Sequence, residues 1–190
     1  MDGQGEPKLN YSVKTATLKI LTVLLAMAVC TPIAQAAPRQ TPSGQPVPRY
    51  VSLKFEKVYA RAGPSKDHKV LWVYHVKGLP VQVVAENSEW RRICDPDGGM
   101  SWVHRRLTSG DNMVMRKQPT RLALHRKPKA EAEIVAYLNP RSLAALIRCE
   151  EGWCKVRADR VTGWAPATEF WGTSDAVQCK VAPRAPARSR

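Results

Sequence analysis

The sequence predicts an all-β chain built mainly from two small β-barrels in tandem. An internal repeat is the first sign. Setting "VYARAGPSKDHKV" (Val58 to Val70) on "LALHRKPKAEAEI" (Leu122 to Ile134) places Pro64 on Pro128 and Val70 on Ile134. Val84 then meets Ile147, Trp90 meets Trp153, Ile93 meets Val156, and Trp102 meets Trp164 after a one-residue slip. The second sign is that each copy consists of short apolar runs rich in Val, Ile, Trp and Tyr, cut by turn residues. The third is the scarcity of helical periodicity, which is confined to the N-terminal apolar run and, weakly, to "RSLAALI". The counterpart of that last stretch is the strand-like "LPVQVV", so the repeat assigns it to a strand.

Each segment has its own reason. Lys8, Lys14 and Lys19 lead into "ILTVLLAMAVC", an apolar run of 11 residues, followed by small residues at Ala34 and Ala36. A bilayer-spanning helix needs about 20 residues. Residues 1–36 therefore read as a secretory signal peptide cleaved after Ala36, which would leave no transmembrane span and send the chain to the periplasm. A retained anchor is the competing reading; acylation of Cys30 is disfavoured by Val29, where a small residue is expected. Residues 37–49, rich in Pro, Gln and Ser, form an expected disordered linker. Barrel one is expected over 50–112, with strands in "YVSLKF", "VLWVYHV", "PVQVVAE", "WRRIC" and "SWVHR"; barrel two spans 113–175. Residues 176–190 read as a basic disordered tail.

The formal net charge is +14, and cleavage would remove three lysines and two acids, leaving nearly all of it. Such a chain is drawn to polyanions, although a basic surface also serves solubility alone. Arg91, Arg92, Arg105, Arg106, Arg116, Lys117 and Arg121 concentrate this charge in the first copy and the connection. Catalysis finds little support. A nucleophilic cysteine needs a base in reach, and no pairing of the cysteines with His68, His75, His104 or His125 stands out. Zinc needs close ligand pairs, and the one Cys-x4-Cys has no partner pair, so neither a metal nor a cofactor is expected. Candidate binding residues are Trp72, Tyr74, Trp90, Trp102, Arg91 and Arg105 in copy one, with Trp153 and Trp164 in copy two. Strand alternation turns Trp90 away from Ile93 and Trp153 away from Val156. If Ile93 and Val156 fill the barrels, the tryptophans lie outside, as a ligand platform or as packing between the copies.

Loss of Cys30 with the signal would leave Cys94, Cys149, Cys154 and Cys179, an even set suited to disulfides in an oxidising compartment. "RCEEGWCKV" (Arg148 to Val156) falls on a hairpin of the repeat. With Ile147 and Val156 taken as core-facing, Cys149 and Cys154 share their face across the turn, at an expected Cα separation of about 4.5–5.5 Å. The same positions in copy one hold Glu86 and Arg91, an expected weak surface ion pair. Cys94 and Cys179 are left to pair, tying the tail to the first barrel.

"ARAGPS", "KGLPVQVVAE..EWRRI....G..SWVHRRLTSG" and "VAYLNPRSLAALIRCEEGWCKV...RVTGWAP..EFWG" together resemble the tandem bacterial SH3-like domains of exported proteins. The resemblance implies two SH3-like β-barrels, each partly open with five or six strands. It also implies binding of cell-wall components or peptides, a role often attached to wall hydrolases. Any such hydrolase is expected to be a separate chain. The function expected is that of an exported, non-enzymatic binding protein of the bacterial envelope. Its partner would be an envelope protein or a peptidoglycan-derived peptide or glycan, with no specific nucleic acid; oligomeric state is not legible. The alternatives are a charge-driven polyanion or membrane-surface binder and a cryptic Cys-dependent wall hydrolase.

Overall fold

The computed structural model describes residues 41–179; the expected signal peptide, the first linker residues and the tail beyond Cys179 lie outside the described residues. The first copy contains β1 (Arg49–Leu53), β2 (Val58–Arg61), β3 (Val70–Tyr74), β4 (Pro80–Glu86), β5 (Trp90–Cys94), β6 (Met100–His104) and β7 (Thr108–Ser109). The second contains β8 (Met113–Arg116), β9 (Leu122–His125), β10 (Ile134–Leu138), β11 (Leu143–Glu150), β12 (Trp153–Ala158), β13 (Val161–Pro166) and β14 (Phe170–Trp171). The two antiparallel sheets run β3-β2-β6-β5-β4-β1-β7 and β10-β9-β13-β12-β11-β8-β14, the same order position for position. Each copy has seven strands because a two-residue strand, β7 or β14, returns to pair with β1 or β8. A three-residue 3-10 turn, Arg105–Leu107 or Ala167–Glu169, precedes each of these short strands. Among the described residues no helix is long and apolar enough to cross a membrane.

Alternation builds each core. Val81, Val83, Ile93 and Val103 are fully buried in the first barrel, as are Val114, Leu124 and Val156 in the second. The barrels are not separate in their packing. Met115 and Trp171 of the second copy belong to the first barrel's core. The Trp171 indole donates to the Pro80 carbonyl at 3.1 Å and meets Tyr50 edge-on at 5.9 Å. Burial, then the nearby Asp175 charge, pushes the Tyr50 phenol up to about 12. Arg141 and Asp97 add an exposed bidentate ion pair between the barrels.

Both flanking segments engage β4. On the linker side, Thr41, Ser43 and Arg49 all bond the Glu86 carboxylate, which Arg91 also approaches at 3.4 Å. The Glu86 side chain is only 2% exposed, so this is a network closed over its carboxylate and not the weak surface pair expected from the sequence. On the tail side, the fully buried Gln82 donates to the Ala176 carbonyl and accepts from the Gln178 amide. Cys179 closes a buried disulfide with Cys94 across 85 residues of chain. Composition registers only the poverty of apolar residues in these segments. It is blind to the polar partners waiting on β4.

The facing of β11 also differs from expectation. Leu146 pairs with Val156, and a bulge at the next residue leaves Ile147 48% exposed. The first copy carries the same irregularity, between Val83 and Ala85. Cys149 and Cys154 are nonetheless cross-strand partners and form the second disulfide. Their Cα separation of 4.0 Å is below the expected range and shorter than the roughly 4.5 Å of a non-hydrogen-bonded antiparallel pair. Glu151 and Gly152 both adopt positive φ, at 47° and 78°, the conformation a two-residue hairpin turn needs.

Candidate functional site

The outer face of the first barrel gathers a cleft around Trp90. The Asn87 carboxamide oxygen accepts the amides of Glu89 and Trp90, and the Asn87 amide returns to the Trp90 carbonyl. This tight turn starts β5 with Trp90 pointing away from the core residue Ile93. Trp90 stands opposite His104 on β6, ring centroids 5.3 Å apart and nearly perpendicular. The His104 ring Nδ1 accepts the Arg106 amide, capping the 3-10 turn that carries Arg105, Arg106 and Leu107.

The opposite wall is held by Arg61 at the end of β2. Its guanidinium donates to the carbonyls of Lys66 and His68, both at 2.8 Å, fixing the loop that arches from β2 to β3. A Cβ on Gly63 would meet the His68 ring at 2.4 Å, so this loop closes tightly upon itself. Tyr59, Trp90, His104 and Leu107, with Arg61, Lys66 and Arg106 around them, line an open cleft of about 330 Å³. An adjoining hollow shares Lys66, Trp90, His104 and Arg106 with it and is also lined by Asp67 and Glu89.

The aromatic residues singled out in the sequence do not form one platform. Trp90 lines the cleft, and half-buried Trp102 lies on the same face, opposite Arg61 and Arg92. Trp72 and Tyr74 pair with the buried Ala60 and Val58, so they face inward. The Tyr74 hydroxyl donates to Asp95 at 2.8 Å; burial first, and then the Asp95 charge, raise its pKa far above the ordinary tyrosine value. Arg91 turns to the other side of β5, into the Glu86 network and the Thr108 hydroxyl. Arg105 is exposed on the 3-10 turn.

In the second barrel Trp153 sits against His125, centroids 5.8 Å apart, and lies half-buried. Trp164 is only 4% exposed, with Arg148 and Lys155 stacked over its ring. Tyr59 and Lys66 escaped the sequence reading, and His104 was weighed only as a catalytic base. The repeat held a usable signal, since the cleft residues of copy one other than Trp90 stand on unlike residues in copy two.

The two disulfides engage Cys94, Cys149, Cys154 and Cys179, every cysteine among the described residues, and no cluster of three or more metal-ligating side chains occurs among those residues. No curated relative matches the chain. Solved structures of NlpC1 and NlpC2 from Trichomonas vaginalis are similar to it at 11% identity, over 72% and 70% of this chain, each with a TM-score of 0.30. The chain spans about half of each of those proteins, 49%. The profile described as Bacterial SH3 domain matches residues 54–110 and again 118–172, one span in each barrel. With more than half of its length so matched, the chain belongs to the bacterial SH3 domain family, as a tandem pair.

Proposed function

We propose that this tandem bacterial SH3 protein is an exported, non-enzymatic binding module of the cell envelope, and that the Trp90 cleft is its recognition site. The observation that carries this reading is the cleft itself. An apolar floor of Trp90, Tyr59 and Leu107 with a few polar groups at its edge is how small binding sites are commonly built. Two disulfides suit an oxidising compartment, which supports export to the periplasm. They also hold every mature cysteine away from the thiolate state that a cysteine hydrolase requires.

The ligand class is a peptide, a wall-derived component or an envelope protein. Co-sedimentation of the mature protein with purified sacculi, together with crosslinking in intact envelopes, tests the reading. Trp90→Ala is expected to weaken capture by about 30-fold, the effect of losing an aromatic anchor worth about 2 kcal/mol. Capture that ignores this substitution and vanishes in added salt would instead assign the binding to charge alone. No capture by either route would sink the proposal.

A further inference from the structure

We infer that the two barrels have diverged in recognition, and that the first barrel's cleft takes an acidic, carboxylate-bearing peptide while the equivalent surface of the second does not. This rests on the reading of the Trp90 cleft as a binding site. The internal repeat supplies the comparison, because both copies share one strand order and Trp90 and Trp102 match Trp153 and Trp164. Trp90 opposite His104 corresponds to Trp153 opposite Pro166, and Arg61 opposite Trp102 corresponds to His125 opposite Trp164.

In that register, the loop-holding role of Arg61 passes to His125, whose ring bonds the Ala132 carbonyl at 2.8 Å. The other cations do not survive. Lys66 corresponds to Ala130, Arg106 to Thr168, and the aromatic Tyr59 to Ala123. The scaffold therefore tolerates their absence, and fold maintenance does not account for Lys66 and Arg106. Both are exposed, and neither joins an ion pair among the described residues. Arg61, Lys66 and Arg106 line the cleft with no carboxylate among its walls, whereas Asp67 and Glu89 line only the adjoining hollow, which shares Lys66, Trp90, His104 and Arg106 with it. This places the peptide's carboxylates beside Arg61, Lys66 and Arg106, with apolar or basic residues toward Asp67 and Glu89. Charge complementarity of this kind contributes register and orientation as well as affinity.

The probes are three N-acetylated octapeptides sharing a Leu/Ala frame, carrying four Glu, four Gln or four Lys. Binding to the mature protein is measured by titration, and indole resonances report the location. The Glu peptide is expected to bind at least about tenfold more tightly than the Gln peptide, equivalent to about 1.4 kcal/mol. Lys66→Gln combined with Arg106→Gln is expected to erase that preference, and the shifts should centre on Trp90 and spare Trp153. Equal binding of the Glu and Gln peptides, with sacculus capture still dependent on Trp90, overturns the acidic-peptide inference and leaves the cleft reading intact. A Glu preference that survives Trp90→Ala, or that heparin or anionic vesicles abolish by competing equally at every site, marks general polyanion binding and overturns it too.

Discussion

Replacing Cys94 and Cys179 together by alanine should destabilise the protein far more than replacing Cys149 and Cys154. The two bridges close loops of very different length, 85 residues apart in sequence against 5. On chain entropy alone, the long loop is worth about 4.6 kcal/mol and the short one about 2 kcal/mol. The gap widens in the structure. Freeing Cys179 also releases Gln178 and Ala176 from Gln82, two hydrogen bonds each worth about 1 kcal/mol. Urea unfolding followed by tryptophan fluorescence measures both double variants against the parent. A short-loop variant that loses as much stability as the long-loop variant, or more, would refute the loop-closure reasoning and the role assigned to the tail.

Trp171→Ala removes a second-copy residue from the first copy's core, and should cost about 3–5 kcal/mol. Its signature is faster amide exchange in β1 and β4; faster exchange confined to the second barrel would contradict the shared core. For Glu86, burial works to raise the pKa, but hydrogen bonds from Arg49, Ser43 and Thr41 and the Arg49 charge outweigh it and hold it at about 2, below the ordinary 4.5. A depressed carboxylate pKa gives stability that is full above about pH 4.5 and is lost as pH falls towards 2. The stability gap between the parent and Glu86→Gln, of order 2–3 kcal/mol at neutral pH, should therefore close over that window in a pH series of urea melts. Arg141 and Asp97 are each at least 60% exposed, so a double-mutant cycle should return less than about 1 kcal/mol between them.

The repeat made most of the fold legible. It aligned two seven-stranded sheets correctly, turned "RSLAALI" into part of β11 and set Cys149 against Cys154. It failed where the period of two breaks. Bulges at Val84 and Ile147 shift the facing along β4 and β11, and a third irregularity, between Ala60 and Arg61 in the β2–β3 pairing, sits beside the inward-facing Trp72 and Tyr74. A one-residue bulge leaves no mark that hydrophobic alternation alone can reveal. The insertion of Trp171 into the first barrel and the docking of both flanking segments on β4 were equally hidden. These are contacts between residues far apart in sequence, made by side chains that look ordinary where they stand.

Of the residues that line the proposed cleft, sequence reasoning singled out Trp90 and Arg106. It also grouped Trp72, Tyr74 and Arg91 with them, which the strand facing separates from the cleft. Cross-strand register supplied what was missing, joining Trp90 to His104 and Arg61 to Trp102. The difference between the two copies became informative only once each cleft residue had its counterpart.

The most direct measurement is site-specific photocrosslinking in living cells, with the reactive side chain placed at Lys66 in the first cleft or at its counterpart Ala130 in the second barrel. Recognition through the Trp90 cleft predicts discrete envelope adducts from position 66 that Trp90→Ala removes, and none from position 130. Equal adducts from both positions, or adducts from position 130 alone, would contradict the account.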